Sequence, residues 1–237
     1  MTQSVSVTIP AYNEVETLEE VVSEALAACR RVTPEYEVLV VDDGSTDGTG
    51  PLADDLATRH PGAVRVVHHR ANRGFSGAML SCMRNAEKEW IFLGPADGQA
   101  NYADLERLWE QSSDKRLVFS YRVSRGDPWS RKLSSWLWYS GLHVLFGRRV
   151  PEFSSTFLFH RATLEQVPVE VREDASNFLP VLFLQASARG IPVGLVGTEQ
   201  PPRRGGVAKG ADWRVILRTI AEDLRLFWHL RVRRRLQ

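Results

Sequence analysis

The chain has 237 residues, 43% hydrophobic and 25% charged, with a formal net charge of +1. This is the composition of an ordinary soluble globular protein, and the length suits one large α/β domain or a domain with an appendage. Charge this close to neutral gives no bulk electrostatic argument for a nucleic-acid partner.

No stretch reaches the roughly 18–20 apolar residues that a spanning helix needs. Met1 to Ala11 lacks a basic region followed by an apolar core, so no signal peptide is expected. The two cysteines, Cys29 and Cys82, fall in helix-like apolar patterns without metal-ligand spacing. Buried free thiols in a reducing, cytoplasmic setting are the expectation.

Ser4 to Ile9 reads as the first strand. A helix follows with Val15, Leu18, Val21, Val22, Ala25, Leu26 and Cys29 at helical spacing. Asn13 is placed to cap it, with Glu16 at the third helical position, and Pro34 lies beyond its end. Tyr36 to Val41 is a second strand, a continuous Val/Leu run of the kind buried on both faces of a parallel sheet. It closes in Asp42-Asp43-Gly44-Ser45, a turn sequence. A helix starting at Thr46 or Asp47 runs to Arg59, and Val64 to His68 is the third strand. His69 to Ala86 is a turn and helix in which Gly74 and Gly77 permit close backbone approach to a ligand. Glu89 to Leu93 is the fourth strand, ending in Pro95-Ala96-Asp97-Gly98-Gln99.

Further on, Leu105 to Gln111 is a short helix and Arg116 to Tyr121 a strand. Arg122 to Lys132 reads as a basic loop. Leu133 to Phe146 is apolar and aromatic, and suits either a buried helix or an interfacial one. Pro151 to His160 reads as a strand, Asp174 to Arg189 as a helix stopped by Gly190, and Ile191 to Val196 as the last strand. Pro201 to Gly210 is a loop. Asp212 to Arg231 is amphipathic, and the segment from Arg203 onward carries ten Lys/Arg against three Asp/Glu. Such a basic tail suits an anionic surface or phosphate groups.

Three apolar strands therefore end in hydrogen-bond acceptors: PAYNE (Pro10 to Glu14), VVDDGSTD (Val40 to Asp47) and PADGQ (Pro95 to Gln99). Ligands of open α/β sheets bind at such carboxyl ends. With NRG at Asn72 to Gly74, these segments resemble family 2 glycosyltransferases. The polyprenyl-phosphate branch, which includes dolichol-phosphate mannose synthases, is the nearest in pattern. The resemblance runs from about Val5 to about Arg218. It implies a GT-A fold, with a mostly parallel central sheet flanked by helices over residues 1–210 and a basic amphipathic helix over 211–237.

The resemblance also implies an inverting transfer of sugar from a nucleoside-diphosphate sugar to a polyprenyl phosphate. Pro10, Tyr12, Glu14 and Asp42 would hold base and ribose, Asn72, Arg73 and Gly74 would border the nucleotide, and Asp43 would stabilise the turn. Mg²⁺ or Mn²⁺ would sit on Asp97 and Gln99. Here the sequence departs from the family, because Pro95 occupies the first position of its Asp-x-Asp. Arg122 and Arg131, with Ser135 nearby, and Arg203 and Lys209 would hold the acceptor phosphate, since planar guanidinium matches phosphate geometry. Ala208 replaces the usual Ser before Lys209, Thr156 replaces a Gly, and Val181 replaces a Glu. Two alternatives stay open: glycosylation of a hydroxyl with Asp174 as base, and a non-catalytic nucleotide-binding relative. Peripheral membrane contact through the Trp136 segment and the C-terminal helix is expected.

Overall fold

The computed structural model describes residues 3–123, 129–147, 149–167 and 178–199, together with 221, 223, 224, 227 and 228. Of residues 130–132, 134, 164 and 165 it describes the backbone alone. Among the described residues, seven strands form one sheet: β1 (Val5–Ala11), β2 (Tyr36–Asp42), β3 (Val64–His68), β4 (Trp90–Leu93), β5 (Leu117–Arg122), β6 (Phe153–His160) and β7 (Val193–Thr198). Their order is β3-β2-β1-β4-β6-β5-β7, and only β6 runs against its neighbours. The other six strands consequently deliver their carboxyl ends to a single edge. The expected mostly parallel α/β sheet is present.

Helices cover both faces, which is why β2 over 38–41 and β4 read as unbroken apolar runs. On one face α1 (Leu18–Val32), α2 (Thr49–Arg59) and α4 (Asp104–Trp109) pack on Val38, Val40, Phe92, Val118 and Leu158. On the other, α3 (Gly74–Asn85), α5 (Trp129–Phe146) and α7 (Phe178–Ala188) pack on Leu39, Val41, Ile91, Phe119, Phe157 and Phe159. A short α6 (Ala162–Gln166), not expected from the sequence, follows β6. Cys29 and Cys82 are free and buried, and burial pushes both thiols up to about 12.

Two local expectations are corrected. Asn13 does not cap the first helix, which begins at Leu18. Its backbone takes a positive φ of 56°, and its side chain accepts the Thr46 N–H at 2.9 Å. The tertiary partner displaces the local one. Trp129 to Lys132, expected as loop, forms the first turn of α5. Among the described residues, no helix is long and apolar enough to cross a membrane.

Candidate active site

The first two strand-end loops interlock. Asn13 N–H donates to Ser45 Oγ (3.0 Å), Glu14 N–H to Thr49 Oγ1 (2.9 Å), and Asp43 N–H to Ala11 O (2.8 Å). Asp47 accepts from the Thr49 N–H and hydroxyl at 3.0 and 2.6 Å. Tyr12 and Glu14 stand half-buried beside this braced pair of turns.

Asp42 lies opposite His68 across the β2–β3 ladder. One carboxylate oxygen accepts the Ser45 N–H at 3.0 Å, and the other meets His68 Nδ1 at 3.0 Å. Burial pushes this carboxyl up, but the Ser45 donors and the His68 ring together hold it below the ordinary carboxylate range. Asp43 Oδ1 accepts the Arg73 N–H at 2.9 Å and pairs with His69 at 2.6 Å, so this oxygen is committed to the 69–73 loop. Asn72 is exposed, Arg73 half-buried, and Gly74 opens α3 with a φ of 79°.

The third loop is pinned from three sides. Its backbone continues along β1, with Gly94 N–H donating to Thr8 O at 3.1 Å and Ala96 N–H to Pro10 O at 3.3 Å. The Thr17 hydroxyl donates to Ala96 O at 2.7 Å. The buried Tyr102 hydroxyl donates to Gly94 O at 2.7 Å and Pro95 O at 3.2 Å. Burial pushes the Tyr102 phenol well above its ordinary range, so it keeps the proton it donates. On this platform Asp97 accepts the Gln99 N–H at 3.1 Å, and both side chains stand half-buried.

Among the described residues, no group of three or more His, Cys, Asp or Glu converges in a way that would hold a metal. Asp97 and Gln99 offer one carboxylate and one amide. That donor set fits Mg²⁺ or Mn²⁺ when the remaining ligands come from phosphate oxygens and water.

Arg122 ends β5 on the same sheet edge. It lies opposite Thr198 of β7, and its N–H donates to Glu152 O at 3.0 Å. Arg131 is in the first turn of α5, with its side chain outside the described residues. Arg203, Lys209, Asp174 and most of the 211–237 segment also lie outside them. The structure thus brings together Pro10, Tyr12, Glu14, Asp42, Asn72, Arg73, Gly74, Asp97, Gln99 and Arg122 along one edge.

Sequence reasoning missed Thr17, Tyr102, His68 and His69 as supports of this edge. The histidines had a signal: VLVVDD at Val38 to Asp43 is matched by VRVVHH at Val64 to His69. Adjacent strands carry acid and imidazole pairs at the same register. Thr17 and Tyr102 had none, because a lone Thr or Tyr does not reveal which distant carbonyl it meets.

This strand order, with acceptor-bearing turns on one edge, defines a GT-A-type glycosyltransferase domain. Residues 6–169 match Glycosyl transferase family 2, and the chain belongs to that family. It is 27% identical over 192 residues to the undecaprenyl-phosphate 4-deoxy-4-formamido-L-arabinose transferase of Edwardsiella ictaluri (strain 93-146), covering 81% of this chain and 59% of that protein. To the enzyme of the same name from Pseudomonas fluorescens (strain SBW25) it is 30% identical, covering 75% of this chain and 52% of that one. The chain therefore spans between half and three fifths of these relatives' length. Among solved structures, glucosyl-3-phosphoglycerate synthase from Mycobacterium tuberculosis, in complex with Mn²⁺, UDP and phosphoglyceric acid, superposes with a TM-score of 0.70. The identity is 17%, covering 96% of this chain and 78% of that one.

Proposed function

We propose that the chain transfers a sugar from a nucleoside-diphosphate sugar to a polyprenyl phosphate with inversion at the anomeric carbon. The observation that carries this reading is the single sheet edge holding the PAYNE, DDGS and ADGQ turns, with Arg122 two strands beyond the last of them. Kinship to undecaprenyl-phosphate sugar transferases supports the lipid-phosphate acceptor. Tyr12, Glu14, Asp42 and the 72–74 segment take the nucleoside. Asp97 and Gln99 would hold Mg²⁺ or Mn²⁺, which neutralises charge on the departing diphosphate when bound.

A phosphate monoester is already ionised at neutral pH, so its oxygen attacks the anomeric carbon without a general base. The sugar's bond to the nucleoside diphosphate breaks as the new phosphodiester bond forms. The protein's part is to place the attacking anion, and Arg122, Arg131, Arg203 and Lys209 are the cations assigned to that task. The test is incubation with a panel of nucleotide sugars, Mn²⁺ and a short-chain polyprenyl phosphate. A lipid-linked sugar is expected. Turnover on an alcohol acceptor alone would move the assignment to a hydroxyl-directed transferase with Asp174 as base. Absence of any turnover, with nucleotide binding indifferent to metal, would make the chain a non-catalytic relative.

A lipid acceptor also requires an apolar approach, and α5 supplies a surface for one. Trp129, Leu133, Trp136, Leu137 and Val144 recur on one helical face and are exposed, Trp129 by 77% and Trp136 by 63%. Leu142 and Phe146 on the opposite side are buried in the core. Two residues beyond β7 meet this helix: Asp223 accepts from Trp138 Nε1 at 3.0 Å, and the Phe146 and Phe227 rings lie 6.0 Å apart. We assign this surface to the membrane interface.

A further inference from the structure

We infer that His69 is a positioning residue that sets where segment 71–74 stands against the nucleotide. The inference rests on the donor site proposed above. The His69 side chain is 7% exposed and Asp43 is 3% exposed. His69 Nδ1 lies 2.6 Å from Asp43 Oδ1, and Nε2 lies 2.8 Å from Ser81 Oγ. A carboxylate accepts and cannot donate, so Nδ1 carries the proton. The same Asp43 oxygen accepts the Arg73 N–H at 2.9 Å. Because Ser81 belongs to α3 and Gly74 opens that helix, the contacts close a ring. It runs from Asp43 through His69 and Ser81 along α3 to Gly74, and back through the Arg73 amide.

Packing fixes the segment from the other side. Gly44 sits at a φ of 71°, and a Cβ there would fall 2.7 Å from the Ala71 carbonyl carbon and 2.9 Å from Asn72 N. The two backbones are thus in contact. The segment has no room to move toward β2, and the Arg73 hydrogen bond stops it moving away. Without the imidazole, Asp43 loses the partner that aims its carboxylate at Arg73.

Carboxylate, imidazole and hydroxyl in this order serve elsewhere as a nucleophile relay. Here Ser81 is 5% exposed, so the hydroxyl is not presented to a substrate. The chain of groups orients a loop.

His69→Asn and His69→Gln separate the two ring nitrogens, since the Asn amide nitrogen overlies Nδ1 and the Gln amide nitrogen overlies Nε2. His69→Gln is expected to speed hydrogen exchange of the Arg73 amide and to weaken UDP or GDP binding in Mn²⁺ about tenfold. Turnover at saturating donor stays at the wild-type value, which a general loss of structure would not allow. His69→Asn is expected to restore both readouts to within about threefold. Should His69→Gln fail to fold, Ser81→Ala replaces it, with the same signs and smaller effects. Wild-type exchange at Arg73 in the Gln variant, or equal acceleration in both variants, overturns the inference. If the wild-type protein binds neither nucleotide, the donor-site reading fails, and the Arg73 exchange comparison still decides whether His69 holds the segment.

Discussion

His68 stands between two carboxylates, with Asp42 at Nδ1 and Asp54 at Nε2, each 3.0 Å away. These acceptors raise the imidazole's pKa above its ordinary value, Asp42 contributing most. The folded pKa exceeds the unfolded one, so the pair stabilises the fold below the unfolded pKa. That stabilisation is lost as pH rises through the folded value. Half-exposed ion pairs are screened, which limits the gain to at most about 1 kcal/mol. His68→Leu should therefore destabilise the protein more at pH 6 than at pH 8.5, as read from urea midpoints. An equal loss at both values would remove the charge from the account.

Glu37 is a stronger case, 3% exposed. It accepts from Ser6 Oγ at 2.5 Å, the Glu87 N–H at 2.6 Å and Arg65 Nε at 2.8 Å. One carboxylate thereby ties β1, β2, β3 and the turn before β4, at the sheet end away from the site. Burial pushes its pKa up, but those three donors prevail and hold it below the ordinary range. Its contribution is thus present above the unfolded pKa and disappears as pH falls through the folded one. Glu37→Ala is expected to cost about 2–3 kcal/mol in denaturant unfolding at pH 7. Nucleotide affinity should not change, because nothing at the sheet's carboxyl edge depends on Glu37.

At the scale of elements, the acceptor edge was legible because β1, β2 and β4 are buried on both faces and end abruptly in turn formers. Direction was not. Pro151 to His160 reads as a strand, yet nothing local encodes that β6 runs against β4 and β5. Helix starts failed where a distant group outcompeted a local one, as when Thr46 claimed the Asn13 side chain. The 94–99 turn shows the same division. Its Asp97 and Gln99 were visible in the sequence, whereas the Thr17 and Tyr102 hydroxyls that fix it were not. Pro95 belongs to this element, since its carbonyl is held by Tyr102 whatever its side chain. Pro95→Asp keeps that carbonyl and adds a carboxylate two residues before Asp97. Divalent-cation affinity rises with ligand charge, so Mn²⁺ binding in the presence of UDP or GDP should tighten by about tenfold, measured by EPR titration. Unchanged affinity would mean that position 95 does not face the ion.

For the whole molecule the decisive feature is an asymmetry of apolar surface. α5 buries one apolar side in the core and exposes another, and Leu224 (53%) and Trp228 (60%) are exposed as well. Large side chains clustered this way on a protein surface mark an interaction site. Trp favours the boundary between headgroups and acyl chains. In the proposed membrane reading, the lysines and arginines from Arg203 onward would supply the electrostatic half of the attraction. An apolar patch alone binds weakly, and adding basic residues makes attachment stable on anionic lipid. The full chain should float with vesicles containing phosphatidylglycerol and much less with phosphatidylcholine alone, and added salt should release it. Trp129→Ser combined with Trp136→Ser removes two exposed rings without touching the core. It is expected to lower the floating fraction about tenfold while leaving UDP or GDP affinity unchanged. If the double variant floats as well as the wild type, the face of α5 is not what meets the lipid, and the acceptor must enter from another side of the sheet edge.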